Sequence, residues 1–147
     1  MSLSYTVNFY DTRSLDWRNK LIGLFSNSSI THVGLQVDNG KESIEYTCIE
    51  KHKGLRIIKP EVFSKLCCPP VDSIKLGIVD KTLPSVPDSY KLTGRSLLFY
   101  HLIGKHLGID MPNGCCVFVS EALVNLGLLE RKIFYPAQLY KELKKCR

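Results

Sequence analysis

The chain lacks any long apolar stretch. No segment reaches the roughly 18 consecutive apolar residues that a membrane span requires. The first residues, MSLSYTVNFYDTR, also lack the basic, then apolar, then small-residue order of a secretion signal. We therefore expect a protein without a transmembrane segment or signal peptide that stays in the cytoplasm.

Linkers, internal repeats and low-complexity tracts are also missing. A chain of 147 residues without such divisions predicts one domain that spans residues 1–147. Its hydrophobic fraction of 44% and charged fraction of 23% are ordinary for a globular protein. These values exclude a disordered or fibrous protein, but they carry no information about activity.

The cysteines lack the patterns of metal sites and of disulfide frameworks. There is no CxxC pair and no Cys or His spacing of the structural zinc type. Two adjacent pairs in a chain without a secretion signal do not resemble a disulfide scaffold. We expect reduced thiols, no metal and no other cofactor. The six cysteines are Cys48, Cys67, Cys68, Cys115, Cys116 and Cys146.

Positive charge is in excess. The net charge of +6 and the pI of about 9.0 favour an anionic partner, such as nucleic acid, an anionic membrane surface or a polyanionic substrate. Much of the excess lies near the C-terminus, at Lys141, Lys144, Lys145 and Arg147, where cations suit the end of a helix. No nucleic-acid module is recognisable, so nucleic-acid binding is the weaker alternative.

The clearest structural signal is a β-hairpin over residues 31–48. Two alternating segments flank Asn39-Gly40, a pair typical of a two-residue hairpin turn. That turn predicts that Gly34 faces Glu45 and that His32 faces Thr47. Alternation places one polar set on a single face of the sheet, and this set comprises His32, Gly34, Gln36, Ser43, Glu45 and Thr47.

The remaining pattern predicts an α+β fold. It consists of a small, mostly antiparallel sheet with the helix that begins at Cys115 packed across it. Further strands are expected at residues 5–10, 54–58 and 73–79. Helices are expected at 15–25, 60–66, from about 89 or 93 to 106, at 115–126 and at about 136–145.

Three residues form a candidate catalytic set. A cysteine in the first turn of a helix, such as Cys115, has its thiolate stabilised by the helix dipole and by unpaired backbone N–H groups. The same N–H groups can stabilise an oxyanion. A cysteine nucleophile needs a base and an acceptor that orients the base. His32 supplies the base and Glu45 the acceptor.

Other residues are weaker candidates for these roles. Cys116 is the nearest rival nucleophile, but it lies about 100° further round the helix and is expected to point into the core or sideways. His52 lies in a basic loop, whereas His101 and His106 lie on a helix where exposure to solvent is expected.

The motifs around these residues resemble a known family. His-Val-Gly at residues 32–34, Gly-Leu-Arg-Ile at 54–57 and Cys-x-x-Phe-Val at 115–119 are similar to the circularly permuted NlpC-type branch of papain-like thiol enzymes. That branch includes bacterial members, a poxviral member and relatives of lecithin:retinol acyltransferase. The resemblance covers residues 31–63 and 107–126. It implies Cys115 as nucleophile, and Glu45 falls on the polar third position.

The resemblance also implies a function. A thiol hydrolase or acyltransferase would act through an acyl-enzyme on a peptide, a cell-wall peptide or an acyl lipid. If the source is viral, we expect host cytoplasm or the virion as its location. The alternatives are a non-catalytic binding module or virion-associated structural module on the same scaffold, and a basic nucleic-acid-binding protein.

Overall fold

The computed structural model describes residues 2–15, 17–49, 54–79, 102–108 and 115–146; within them, the side chains of residues 18, 48, 49, 54–56, 78, 79 and 115 lie outside the description. The strands are β1 Leu3–Tyr10, β2 His32–Asp38, β3 Ser43–Ile49, β4 Gly54–Ile58 and β5 Asp72–Val79. The α-helices are α1 Trp17–Ser26, α2 Pro60–Leu66, α3 Cys115–Asn125 and α4 Pro136–Lys145.

The five strands form one sheet with the order β4-β3-β2-β1-β5. Each pair of neighbouring strands is antiparallel. The predicted α+β class with a small antiparallel sheet is therefore confirmed. β1 lies between β2 and β5, so the first strand of the chain holds together the hairpin and a strand that follows some sixty residues later.

The turn of the β2–β3 hairpin corrects the predicted register. The last pair is Asp38 with Ser43, so the loop has four residues instead of two. Polar side chains stabilise this longer loop: Asn39 Oδ1 accepts hydrogen bonds from the backbone N–H groups of Lys41 and Glu42, at 2.9 and 2.8 Å. Such side-chain caps compete with the tight turn. The shift is two residues, so it leaves every side chain on its predicted face.

The apolar face of the sheet carries the hydrophobic core. Helices α3 and α4 contribute buried side chains to this face, as predicted for the helix that begins at Cys115. Leu35 of β2 and Leu123 of α3 are both fully buried. The rings of Tyr46 and Phe118 lie 5.6 Å apart between the sheet and α3.

The observed bounds of the other helices agree with the predicted bounds to different degrees. α2 begins at Pro60, as expected because proline suits the first turn of a helix. α1 begins at Trp17, two residues later than predicted. Most of the helix predicted to end at residue 106 lies outside the described residues, and its last part, Gly104–His106, is a 3-10 turn. In the described part of the chain, every helix is too short or too polar to cross a membrane.

Candidate active site on the polar face of the sheet

His32 is the first residue of β2, and its place is set by pairing with the end of β1. It pairs with Tyr10 in the antiparallel register. Just before it, Thr31 donates its backbone N–H to the Tyr10 carbonyl at 3.0 Å. The Thr31 hydroxyl accepts a hydrogen bond from the Thr12 backbone N–H at 2.9 Å. These contacts fasten the two strand ends and fix the backbone that carries the imidazole.

The His32 ring packs in a cluster with two aromatic side chains, whose own rings lie 4.9 Å apart. The ring of Phe63, from α2, is stacked on the imidazole with a centroid distance of 5.5 Å. The Tyr10 ring lies at 5.6 Å. His32 Nε2 lies 2.6 Å from the hydroxyl oxygen of Thr47. With only 7% of its surface exposed, the imidazole has a defined orientation instead of the exposed position usual for a strand histidine.

Glu45 lies on the same face of the sheet as His32 and is fully buried. Its Oε1 accepts a hydrogen bond from the Tyr10 hydroxyl at 2.6 Å, and its Oε2 accepts one from Asn8 Nδ2 at 3.2 Å. Burial raises the pKa of this carboxyl, whereas the Tyr10 and Asn8 hydrogen bonds and the nearby His32 charge oppose the rise. Thr47 is a hydrogen-bond partner of His32 at Nε2, and the role of Glu45 as the orienting acceptor stays a prediction.

The orientation of the Asn8 amide is fixed by its other contacts. Its Oδ1 accepts a hydrogen bond from the Ser73 hydroxyl at 2.7 Å. Its Nδ2 also donates to Gln36 Oε1 at 3.0 Å. The amide nitrogen therefore points towards the Glu45 carboxylate. This polar network joins β5, β1, β2 and β3 across the face. It supplies the hydrogen-bond partners that buried polar groups require.

Gly34 makes room for the carboxylate. The sequence predicts that Gly34 lies directly opposite Glu45. In the observed register Glu45 pairs with Gln36 instead. The Glu45 side chain nevertheless extends over Gly34. A Cβ atom at this position would lie 2.8 Å from Glu45 Cδ and would also meet Oε1. Glycine is required here because it has no side chain. Its backbone conformation is one that other residues also adopt.

Helix α3 begins at Cys115, as predicted, but the Cys115 side chain lies outside the described residues. Cys116 is buried in the core, where its thiol donates to the Ile133 carbonyl at 3.5 Å. The rival nucleophile therefore points away from the polar face. The structure brings His32 and Glu45 together on that face, while α3 packs against the apolar face.

A second pair of thiols lies closer to the polar network. Cys67 and Cys68 follow α2, with their Sγ atoms 3.5 Å apart. The Cys68 thiol donates to the Asp11 carbonyl at 3.7 Å. Burial, with help from the Cys68 contact, raises the pKa of Cys67 to about 12. Cys67 is thus a neutral thiol near pH 7, which makes it a poor nucleophile.

Sequence patterns missed Tyr10 and Asn8 as site residues. Alternation around the apolar Phe9 could have placed both on one face of β1, but only the pairing of β1 with β2 shows that this is the face of His32. Of the weaker base candidates, His106 is exposed, while His52 and His101 lie outside the described residues. Within the described part of the chain, no three metal-ligating side chains cluster.

Comparison with known proteins identifies no relative. No protein-family model matches the chain, and searches of curated proteins and of solved structures find no significant match.

Proposed function

We propose that the protein is a thiol hydrolase or acyltransferase in which Cys115 attacks an acyl carbonyl and His32 moves the proton. The observation that carries the proposal is the buried His32 imidazole, which is oriented by Thr47 and lies near the buried Glu45 carboxyl. Replacing a buried pair of ionisable groups by apolar residues of the same volume is often neutral or stabilising, so stability alone does not account for such a pair. Such a pair is typical of an acid–base site.

The position of His32 at the end of β2 supports a meeting with the start of α3. Because His32 is the first residue of its strand, its backbone lies at an end of β2. A helix N-terminus that projects past the same end can approach the ring although the helix packs on the other face. We propose that Cys115, the first residue of α3, approaches in this way.

The reaction would follow the general path of thiol catalysis. The Cys115 sulfur forms a bond to the carbonyl carbon of an amide, ester or thioester, and its proton passes to His32. The leaving group departs with that proton as its bond to carbon breaks. Water or another acceptor then attacks the thioester, and the Cys115 thiol is regenerated. Peptides, cell-wall peptides and acyl lipids carry the bonds required.

The test is acylation by p-nitrophenyl acetate, followed by release of p-nitrophenol and by the mass of the peptide that contains Cys115. The proposal predicts one acetyl group on Cys115, formed in a rapid first turnover. Cys115→Ala and His32→Ala should abolish this burst. General acid–base catalysis typically contributes 10²–10⁴-fold, so the loss in His32→Ala should be of at least about 100-fold.

Cys116→Ala is the matched control, because it removes the neighbouring thiol from the same helix without touching the proposed site. This variant should keep the burst, and circular dichroism of each variant checks that it folds. An undiminished burst in Cys115→Ala would contradict the proposal. A folded wild-type chain that is never acetylated would favour a binding or structural module.

A further inference from the structure

Two adjacent cysteines lie in contact where helix α2 ends. The Sγ atoms of Cys67 and Cys68 are 3.5 Å apart, and both side chains are partly exposed, so that solvent reaches them. The Cys68 thiol directs its hydrogen to the Asp11 carbonyl. The hydrogen between the two sulfur atoms is therefore the one on Cys67. Cys67 thus donates to the Cys68 sulfur, which is the atom that it would have to attack to form a disulfide.

The backbone holds this pair from both sides. The Cys67 N–H group donates to the Phe63 carbonyl at 2.9 Å, at the end of α2. Pro69 follows Cys68, and a residue before proline is restricted to extended conformations. The two side chains therefore meet in a defined arrangement. A group attached to one sulfur is open to attack by the other, with the advantage of an intramolecular reaction.

The two thiols differ in the role that they can take in exchange with a disulfide. Burial, with help from the Cys68 contact, raises the pKa of Cys67 to about 12. Cys67 therefore keeps its proton near pH 7 and does not start the exchange, so the first attack falls to Cys68. Redox-active cysteines often lie next to a second cysteine that resolves the first product. Cys67 has the position of this resolving thiol.

We propose that Cys67 and Cys68 form a reversible redox-modification site that takes small-molecule disulfides, such as oxidised glutathione. The Cys68 thiolate attacks one sulfur of the reagent, whose S–S bond breaks, and the first glutathione leaves and takes up the proton that Cys68 has lost. Cys67 then loses its proton, attacks the Cys68 sulfur and displaces the second glutathione, which takes up that proton. The two cysteines lose two electrons and two protons, and the reagent becomes two thiols. This site does not depend on the proposed function.

The bond between the two cysteines should be labile instead of structural. Consecutive Cα atoms lie about 3.8 Å apart, whereas disulfides usually join Cα atoms about 4.4–6.8 Å apart. A disulfide between neighbours is therefore strained, and strained disulfides are easily reduced. Its formation also removes the Cys68 hydrogen bond to the carbonyl of Asp11, which follows Tyr10, and the Tyr10 hydroxyl bonds Glu45. The site thus lies beside the polar network.

The test treats the reduced, folded chain with oxidised glutathione at about pH 8, blocks free thiols with N-ethylmaleimide and measures the tryptic peptides by mass. Trypsin cuts after Lys65 and Lys75, so one peptide, 66–75, contains both cysteines and no other. The proposal predicts that this peptide loses two hydrogens and carries neither glutathione nor maleimide. Dithiothreitol added before the block should restore both thiols. A peptide that stays reduced, or that keeps glutathione as its final state, would overturn the proposal.

The matched control lies in the same chain. Cys115 and Cys116 are also adjacent, but they belong to α3, where consecutive residues point about 100° apart, and the Cys116 thiol is directed to the Ile133 carbonyl. The tryptic peptide that contains them, 106–131, should form no bond between its own two cysteines. Equal disulfide formation in both pairs would show that adjacency alone is responsible, and it would contradict the site.

Single variants separate the two roles. Cys67→Ser should stop at the mixed disulfide, so its peptide 66–75 gains one glutathione on Cys68. Cys68→Ser should remain largely unmodified, because burial still raises the pKa of Cys67. Circular dichroism checks that each variant folds, and the wild-type result decides the proposal even if one variant does not. Faster modification of Cys68→Ser than of Cys67→Ser would contradict the proposed order of attack.

Discussion

The two faces of the sheet solve different physical problems with the same alternating strands. The apolar face buries Leu35, Tyr46 and their neighbours against α3 and α4, where tight packing excludes water. The polar face also buries Glu45 and His32, but each of these side chains needs a specific hydrogen-bond partner. Burial of apolar groups stabilises the fold, whereas burial of a charged group costs free energy unless that group is paired and hydrogen-bonded.

This difference indicates where function lies. Substitutions on the apolar face should change stability without a defined chemical effect. Substitutions on the polar face should change the protonation and orientation of particular groups, because the network from Ser73 through Asn8 to Glu45 is connected by directed hydrogen bonds. The comparison can be tested by perturbing one face at a time.

The largest effect is expected on the apolar face. Leu123→Ala removes a fully buried side chain from α3 and leaves a cavity, so the free energy of unfolding should fall by about 2–5 kcal/mol. Leu24→Ala on α1, where the side chain is 73% exposed, is the matched control and should change stability by less than about 0.5 kcal/mol. Urea denaturation measures both. Equal effects would contradict the assignment of the core.

A smaller but more specific effect is expected from Gly34→Ala on the polar face. The new methyl group would meet the Glu45 carboxyl, which must leave its Tyr10 and Asn8 partners, so stability should fall by about 1–3 kcal/mol. Glu45→Ala removes the obstacle. In that background Gly34→Ala should cost much less, as a double-mutant cycle by urea denaturation measures. Additive effects would show that the two residues are not in contact.

The third prediction concerns pH. Burial raises the pKa of Glu45 in the folded state, so between its unfolded value of about 4.3 and the raised value the folded state binds more protons. Stability from this group is fully present below the unfolded value and is lost as pH rises through the folded one. Glu45→Gln should remove this slope. If the stability curves of the wild type and the variant ran parallel between pH 4 and 8, they would contradict a raised pKa of the Glu45 carboxyl in the folded state.

Local patterns in the sequence predict the faces and most elements, because alternation and proline act within a few residues. The start of α2 follows from Pro60, and the polar set that contains His32 and Glu45 follows from the period-two alternation of a strand. The register of the hairpin does not follow from such local patterns, because the side chain of Asn39 stabilises a longer loop. The contact of Tyr10 with Glu45 joins residues 35 positions apart, which only the assembled sheet brings together.

The most direct test of the account is the pH dependence of Cys115 alkylation by iodoacetamide, followed by mass spectrometry of its peptide. A free thiol reacts with a midpoint near pH 8.5, about the pKa of an isolated cysteine. The account predicts a midpoint well below this in the wild-type chain and in His106→Ala, which removes an exposed imidazole, and a return towards about 8.5 in His32→Ala. A wild-type profile that His32→Ala leaves unchanged would contradict the pairing of Cys115 with His32.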